Sequence, residues 1–592
     1  MFLRVAVLII LGFVAFGSML PAPFRVMDDR VSIVENSSIK SFNNIPSLFK
    51  EGYFHDQAYY RPLINLSFMG EYRFFGFNSF FYNLDNLILH VLNALLVFLL
   101  VTKLTNSISI GFWTGLLFDI HPIQWEAVCD IPGRAILLSA FFVLLTFNLF
   151  IEFYKRRQVF LGLLTLVTFS LSLLCKESAG VLPLVMVVYL WTDKNQRWFL
   201  KCQYLWPLVL GVVSYIFLRQ YFGITQLHQS SQFKEVAFAF LTFLRSVITD
   251  LRLFIWPVDL HYDRCLGIIT SLTEHRAVLT LGFWILIVVL FVLNVRRFDR
   301  FTIFLMAWFV IDLFPVSQLV TRIGVGTESI STAEHFLYEP CIPFFIGMVM
   351  AFQWVYQQNR EKKIVDAGLM KFLAGGFLVF LLIIAVEQSI YAANEFAMIN
   401  RSLSFEPKNP RIQAEMGMLS VFRNDMPDAE KYFRLAIKAE PLNPQYHTAL
   451  GTTFCRQGKW IQGLEQFVAL DDPTARDSVA SQEKLTMKYI QDELAQGKSY
   501  DYKGWLAIGI YEVKIGQNEK AINAFLKAVS LNPIQTDAWF NLGSLYEAQQ
   551  HWVASESAYQ YLLGLKNTTA FQQQYAQEHL NYVEFHLRPQ KP

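Results

Sequence analysis

The chain has 592 residues, 54% hydrophobic and only 17% charged, with a formal net charge of +2 and a mean hydropathy of +0.33. Soluble domains average near a quarter charged, so much of this chain belongs in lipid, and the small net charge gives no reason to expect nucleic acid. Six cysteines are scattered singly, without a CxxC pair, which supports neither a zinc site nor a disulfide framework.

A spanning helix needs about 20 apolar residues. In chain order the apolar runs are 3–22, 84–102, 108–121, 134–154, 159–175, 179–192, 204–221, 278–295, 302–320, 340–357 and 369–390, and together they predict about 11 spans. The run 108–121 is short. The basic loops "KLTNS", "YKRRQ", "DKNQRWFLK", "NVRRFDR" and "NREKK" fall between alternate pairs of spans, which places them and the N-terminus in the cytoplasm. The apolar stretch 236–260 would break that alternation as a span and is read as an interfacial helix. Near residue 395 the composition turns to ordinary soluble sequence. The expected division is a membrane domain over 1–395 and an extracytoplasmic domain over 396–592.

With that orientation the ionisable groups other than the basic loops gather on the non-cytoplasmic side. Asp28 and Asp29 follow the first span, and His121, Glu126, Asp130 and Arg134 lie in "HPIQWEAVCDIPGRA" between the third and fourth. Lys176 and Glu177 cap the fifth; His261, Asp263 and Arg264 end the interfacial stretch; Glu334 and His335 precede the tenth. Ionisable groups near membrane depth are candidate functional sites. Each also has a structural alternative. Asp28-Asp29 starts a helix, Arg61-Pro62 makes a turn, His121-Pro122 ends a span, Glu126 pairs with Arg134, and Lys176-Glu177 snorkels. His90 and Asn93, one turn apart within a span, read as interhelical hydrogen bonders.

In the C-terminal domain Gly417 and Gly451 are 34 residues apart, as are Gly509 and Gly543. Around them Trp505, Ile508, Gly509, Ala521, Phe525, Ala528 and Pro533 set a pattern that Met416, Gly417, Ala429, Phe433, Ala436 and Pro441 repeat. This spacing resembles a tetratricopeptide array, an α-solenoid of packed helix pairs with a concave face for peptides or proteins. Gly451 and Gly509 lie 58 apart, and the surplus of 24, around 478–499, predicts inserted helical turns and a loop.

Five segments then appear in order: "FRVMDDRVSIVENSSI", "YYRPLINLSFMGEYRFFGFNSFFYNLDNLILHVLNALL", "HPIQWEAVCDIPGRAILLSA", "CKESAGVLPLVMV" and "AEHFLYEPCIPF". With the repeat tail they resemble the transmembrane and tetratricopeptide repeat-containing protein O-mannosyltransferases of the glycosyltransferase C superfamily. The similarity runs in islands from about residue 24 to 345. His335 stands where that family usually has Arg. The resemblance implies an all-α polytopic bundle and an inverting transfer of a sugar, typically mannose. The donor would be a polyprenyl-phosphate sugar at the membrane lipid, and the acceptors Ser or Thr hydroxyls of proteins on the periplasmic or luminal side, recruited by the repeats. It places the acidic pair Asp28-Asp29 at the reaction centre.

That chemistry asks for a carboxylate to take the hydroxyl proton and cations to stabilise the departing phosphate. Asp28 or Asp29 is the candidate base. Arg61, His121, Arg134, Lys176 and His335 are the candidate donor contacts, with Glu126 and Glu177 beside them; Glu126 would orient Arg134 or assist an acceptor. No cofactor is required. Asp28, Asp29 and Glu126 offer oxygen ligands for a divalent ion, but no spacing demands one. Transfer to a glycan instead of a protein, and a membrane-tethered scaffold without catalysis, remain the alternative readings.

Overall fold

The computed structural model describes residues 1–26, 28–53, 59–194, 198–224, 233–319, 329–362, 365–469 and 476–587. Residues 195–197 and Lys363 of the expected basic loops, 225–232 and 321–328 of the expected outer loops, and residue 320 of the ninth expected span lie outside them. The fold is all-α, and the chain separates into two compact units, Met1–Ile412 and Gln413–Pro592.

The first unit contains α1 (Phe2–Phe16), α2 (Pro62–Phe75), α3 (Ser79–Thr105), α4 (Ile108–Ile120), α5 (Arg134–Arg156), α6 (Val159–Cys175) and α7 (Leu182–Thr192). It continues with α8 (Trp206–Tyr221), α9 (Phe233–Ile255), α10 (His275–Asn294), α11 (Arg300–Leu313), α12 (Cys341–Lys362), α13 (Ala367–Ala393) and α14 (Glu395–Phe405), with shorter helical turns between. Helices stand at all eleven expected positions. Among the described residues six segments are long and apolar enough to cross a membrane: Phe2–Met19, Ser79–Thr105, Ile131–Arg156, Leu200–Tyr221, His275–Arg297 and Ala367–Ala393. Apolar helices at 108–120, 159–175 and 177–192 are shorter. Local chemistry sets the ends. Asn78 accepts from the Phe80 N–H and Ser107 from that of Ile110 to start α3 and α4, while Asn106 and Arg157 leave α3 and α5 with φ of 53° and 56°.

The two ends of the helices differ in chemistry. At one end Lys103 and Arg156 both pair with Glu152, at 3.2 and 2.8 Å, and Arg300 donates to the Trp191 carbonyl at 3.1 Å. Asn86 belongs to the other end. It lies 17 residues from Lys103 on the same helix, about 25 Å away at 1.5 Å per residue. There the short strands β1 (Cys265–Gly267) and β2 (Ser329–Ser331) pair antiparallel, Leu266 opposite Ile330, and bring the segment after α9 beside Glu334 and His335. Within the bundle, His90 and Asn93 are interhelical bonders: both contact the Tyr338 hydroxyl, at 2.9 and 3.1 Å, and Asn93 also donates to the Leu137 carbonyl.

Then come α15 (Pro410–Phe422), which begins in the first unit, α16 (Met426–Ala439), α17 (Pro444–Arg456), α18 (Trp460–Ala469) and α19 (Arg476–Ala495). The last five are α20 (Tyr502–Lys514), α21 (Asn518–Leu531), α22 (Thr536–Ala548), α23 (Trp552–Leu563) and α24 (Ala570–Leu587). The helix pairs form a tetratricopeptide solenoid. A Cβ on Gly417, Gly451, Gly509 or Gly543 would stand 2.4 to 2.8 Å from the ring of Phe433, Phe467, Phe525 or Tyr559 respectively, so glycine lets each pair close around its aromatic. The insertion differs from the expected turns and loop. It is one 20-residue helix, α19, with neither glycine nor proline inside it, and Met487 and Ile490 bury against Leu464, Ala507 and Ile508.

Candidate functional site

Pro21 and Pro23 end the first helical segment, and the chain turns into a short helical stretch that Asp28 and Asp29 open. Neither carboxylate caps that stretch. Asp29 is 1% exposed, and its Oδ2 accepts the Arg25 backbone N–H at 2.7 Å. The Arg25 guanidinium donates to Asp130 Oδ1 at 2.9 Å and to the Cys129 carbonyl at 2.6 Å. Asp28 keeps a third of its side-chain surface accessible. Its Oδ2 accepts from the Tyr262 hydroxyl at 3.2 Å and lies 3.6 Å from Arg411 Nη2. Arg411 also reaches Asp263 Oδ1 at 3.5 Å.

The stretch 121–134 folds into three short helical turns that are buried almost throughout. Gly133 allows this compactness: a Cβ there would stand 2.2 Å from the Ala127 carbonyl oxygen. Glu126 does not orient Arg134. Its two oxygens take the His335 backbone N–H at 2.9 Å and the His335 ring at 3.1 Å. Trp125 donates to Glu334 at 2.6 Å, and Arg264 meets the other oxygen of Glu334 at 2.9 Å. Arg61 forms a two-pronged pair with Glu177, at 3.0 and 2.6 Å, and stacks 4.8 Å from the Tyr59 ring centre. The Lys176 ammonium group makes no hydrogen bond among the described residues and feels Arg61, Glu177 and Glu339.

Electrostatics join these groups. Burial, with Asp130 close by, lifts Asp29 well above the usual carboxylate range. Burial carries Asp130 up to about 6 against the pull of Arg25, with Asp28 and Glu126 adding to the rise. Asp263 is raised to about 6 for the same first reason, despite Arg411. For Glu126 burial works upward, but His335 overrides it and holds the carboxyl below its ordinary value. Arg61 likewise outweighs burial at Glu177, which falls to about 2. Burial and Arg61 bring Lys176 down to about 8. Tyr53 feels Arg61 of one cluster and Asp28 and Asp130 of the other, so the two lie within electrostatic reach of one residue.

Seven of the nine expected residues therefore meet: Asp28, Asp29, Glu126 and His335 in one cluster, Arg61, Lys176 and Glu177 in the adjoining one. His121 and Arg134 do not join them. Both ring nitrogens of His121 engage backbone, the Ile123 N–H and the Phe254 carbonyl, each at 3.2 Å, and its ring packs on Phe345. Arg134 is 1% exposed, donating to Asn86 at 2.6 Å, Glu71 at 2.8 Å and the Tyr82 carbonyl at 3.0 Å. Arg25, Tyr262 and Arg411 join the acidic cluster without having been named from sequence, and Asp130 and Asp263, named among the outer ionisable groups, join it without having been given a role. Asp130 was visible within the ionisable stretch; for Arg411, over 380 residues from Asp28, sequence gave no signal. Among the described residues no three His, Cys, Asp or Glu side chains are grouped to hold a metal ion.

Comparison with known proteins bears on this arrangement. A Caenorhabditis elegans protein O-mannosyl-transferase is 24% identical over 74% of this chain and 62% of its own length. The human protein O-mannosyl-transferase TMTC3 is 24% identical over 88% of this chain and 63% of its own. The chain is related to these protein O-mannosyl-transferases. A Drosophila melanogaster relative, Tmtc2, reaches 32% identity over 30% of this chain and 20% of its own length. Residues 512–550 match the model of a TPR repeat family. This chain spans about three-fifths of the length of the first two relatives.

Proposed function

We propose that the protein is an inverting glycosyltransferase that moves mannose from a polyprenyl-phosphate donor to Ser or Thr hydroxyls of proteins. The accessible carboxylate of Asp28, in the acidic cluster beside Tyr262 and Arg411, carries this reading. In it Asp28 accepts the acceptor's proton as that oxygen bonds to the anomeric carbon from the face opposite the phosphate. The bond from the anomeric carbon to the phosphate oxygen breaks, and its electron pair leaves with the phosphate. Lys176, Arg61 and His335 stabilise the growing negative charge. Asp29, enclosed with Arg25 and Asp130, fixes the turn that presents Asp28 and does not itself meet substrate. His121 and Arg134 serve the fold. The basic ends of the helices face the cytoplasm, the acidic cluster the opposite compartment, and the solenoid recruits acceptors on that side.

The test is transfer by purified protein in detergent from radiolabelled polyprenyl-phosphate mannose to an extracytoplasmic protein fraction. Labelled protein is expected, and Asp28→Asn should lose about 100-fold or more, the range of a general base. Asp29→Asn should retain more activity than Asp28→Asn. Labelled oligosaccharide with unlabelled protein would overturn the protein acceptor. No turnover of the lipid-linked sugar would overturn the enzyme reading.

A further inference from the structure

Among the described residues Asp28 is engaged through one of its two oxygens. Its Oδ2 accepts from the Tyr262 hydroxyl at 3.2 Å and lies 3.6 Å from Arg411 Nη2, while Oδ1 has neither a hydrogen bond nor a cation. The two contacts come from distant parts of the chain, and hydrogen bonds to backbone fix both against the turn that carries Asp28. Tyr262 follows α9. Its N–H donates to Ser402 Oγ at 3.0 Å, and Arg401 Nε donates to the Leu260 carbonyl at 2.8 Å. Arg411 follows α14. Asn409 Oδ1 accepts the Arg411 N–H at 3.0 Å, and Asn409 Nδ2 donates to the Asp263 carbonyl at 3.2 Å. Glu395, the first residue of α14, accepts the Val26 N–H at 2.9 Å. The stretches 25–29, 260–265 and 395–411 are therefore stitched together around one carboxylate.

A base must bring one oxygen within hydrogen-bond reach of the hydroxyl it deprotonates, about 2.6–3.2 Å. The terminal torsion of an unrestrained aspartate is broad and two-fold, so it offers either oxygen in many directions. Resting on the proposed role of Asp28 as the base, we infer that Tyr262 and Arg411 are positioning residues for the transfer. They hold Oδ2, which turns Oδ1 toward the acceptor, and Oδ1 is the atom that receives its proton. The acceptor O–H bond breaks as its oxygen bonds to the anomeric carbon, and the proton goes to Oδ1. The bond from that carbon to the phosphate oxygen breaks, and its electron pair leaves with the phosphate. Arg411 divides its guanidinium between two acids, Nη1 lying 3.5 Å from Asp263 Oδ1, so it aims Asp28 without being wholly committed to it. The Arg411 side chain is 41% exposed, and ion pairs facing water add little to stability, so a prop for the fold is not what this contact supplies.

The experiment measures kcat and the donor KM of the full-length protein in detergent, with polyprenyl-phosphate mannose and the extracytoplasmic protein fraction as substrates. Arg411→Met should lower kcat about tenfold, a part of the 100-fold or more that a base supplies. The donor KM and the melting midpoint should stay unchanged, and Arg411→Lys should recover part of the loss. Tyr262→Phe should lower kcat by less. Both substitutions are then repeated in the Asp28→Asn background. Residues that act only through Asp28 have nothing left to position there, so kcat should fall no further. Full kcat in both single variants, or an equal loss with and without Asp28, would overturn the inference and leave Asp28 as the base. Full activity in Asp28→Asn would overturn the base and the inference with it.

Discussion

Arg134 is the residue for which sequence and structure assign different work, so its replacement is the most informative perturbation. Sequence placed it against a lipid phosphate; in the fold it is held by Asn86, Glu71 and the Tyr82 carbonyl. Arg134→Met removes these bonds, with a longer one to the Ser67 hydroxyl at 3.5 Å, and leaves the Glu71 carboxyl, 5% exposed, without its cation. Breaking a buried ion pair from one side costs about 3–5 kcal/mol. The bonds share one group, so their individual values do not add to that figure. A loss of about 4 kcal/mol is a large share of the 5–15 kcal/mol typical of a folded protein. The double variant Arg134→Met, Glu71→Met buries no lone charge and should recover at least half of the loss. The assay is chemical unfolding in detergent, with donor binding measured on the folded fraction of each variant. A single variant that unfolds at the same midpoint as the unaltered protein but no longer binds donor would refute the reasoning. It would return Arg134 to the phosphate.

Asp130→Asn should change how stability depends on pH. An acid raised from 3.8 to about 6 binds more protons folded than unfolded between those values, so stability falls as pH rises across that window. Melting midpoints from pH 4 to 7 should fall less steeply in the variant, Asp29 supplying the remaining slope; an unchanged slope would sink the assignment. Gly133→Ala drives a Cβ onto the Ala127 carbonyl, so it should displace Glu126 and lower both melting midpoint and transfer. Normal values of both would show that the backbone there yields. Gly509→Ala forces a Cβ to 2.4 Å from Phe525, an overpacking of about 1–3 kcal/mol. Circular-dichroism melts should show the loss, with Phe525→Leu restoring part of it; a neutral alanine would mean the two helices separate freely.

What could be read from residues alone follows from how locally each feature is encoded. The repeats were legible because one unit holds its own packing rule: a glycine and an aromatic 16 residues later, as with Gly509 and Phe525, must touch across one helix pair. The kinds of group at the site were legible too, since few reasons exist to leave Asp28, Lys176 or Glu126 beside a membrane. Their pairing was not. Glu126 and Arg134, eight residues apart, look like partners, but Glu126 meets His335, 209 residues on, and Arg134 meets Glu71 from an earlier helix. Helical periodicity predicts neighbours within a turn or two, whereas these partners are set by the way α2, α3 and α12 converge. The inserted segment was under-read for the opposite reason. Its weak amphipathic pattern concealed a full helix whose burial depends on Leu464 and Ala507 from its neighbours.

The same convergence explains why some charged groups at this end of the bundle are available for chemistry and others are not. A charge taken out of water must be matched or it costs several kcal/mol, and several of the deep charges here are matched. Arg134 has Glu71, Glu334 has Arg264 and Trp125, and Arg25 has Asp130 and two carbonyls. Those groups hold backbone in place, and a substrate meeting them would have to break bonds already made. Asp28, Lys176 and His335 lie at the edges of these pairs, with accessible surface and incomplete partnering. A base has to lose solvent only when its substrate arrives, and a phosphate contact has to exchange a weak partner for a stronger one. Both conditions are met at the rim of a rigid buried network and fail at its centre. In the proposed reaction the acidic pair therefore divides, Asp29 inward with Arg25 and Asp28 toward the acceptor. Exchanging the roles of these two adjacent aspartates would require the whole turn anchored at Arg25 to rotate.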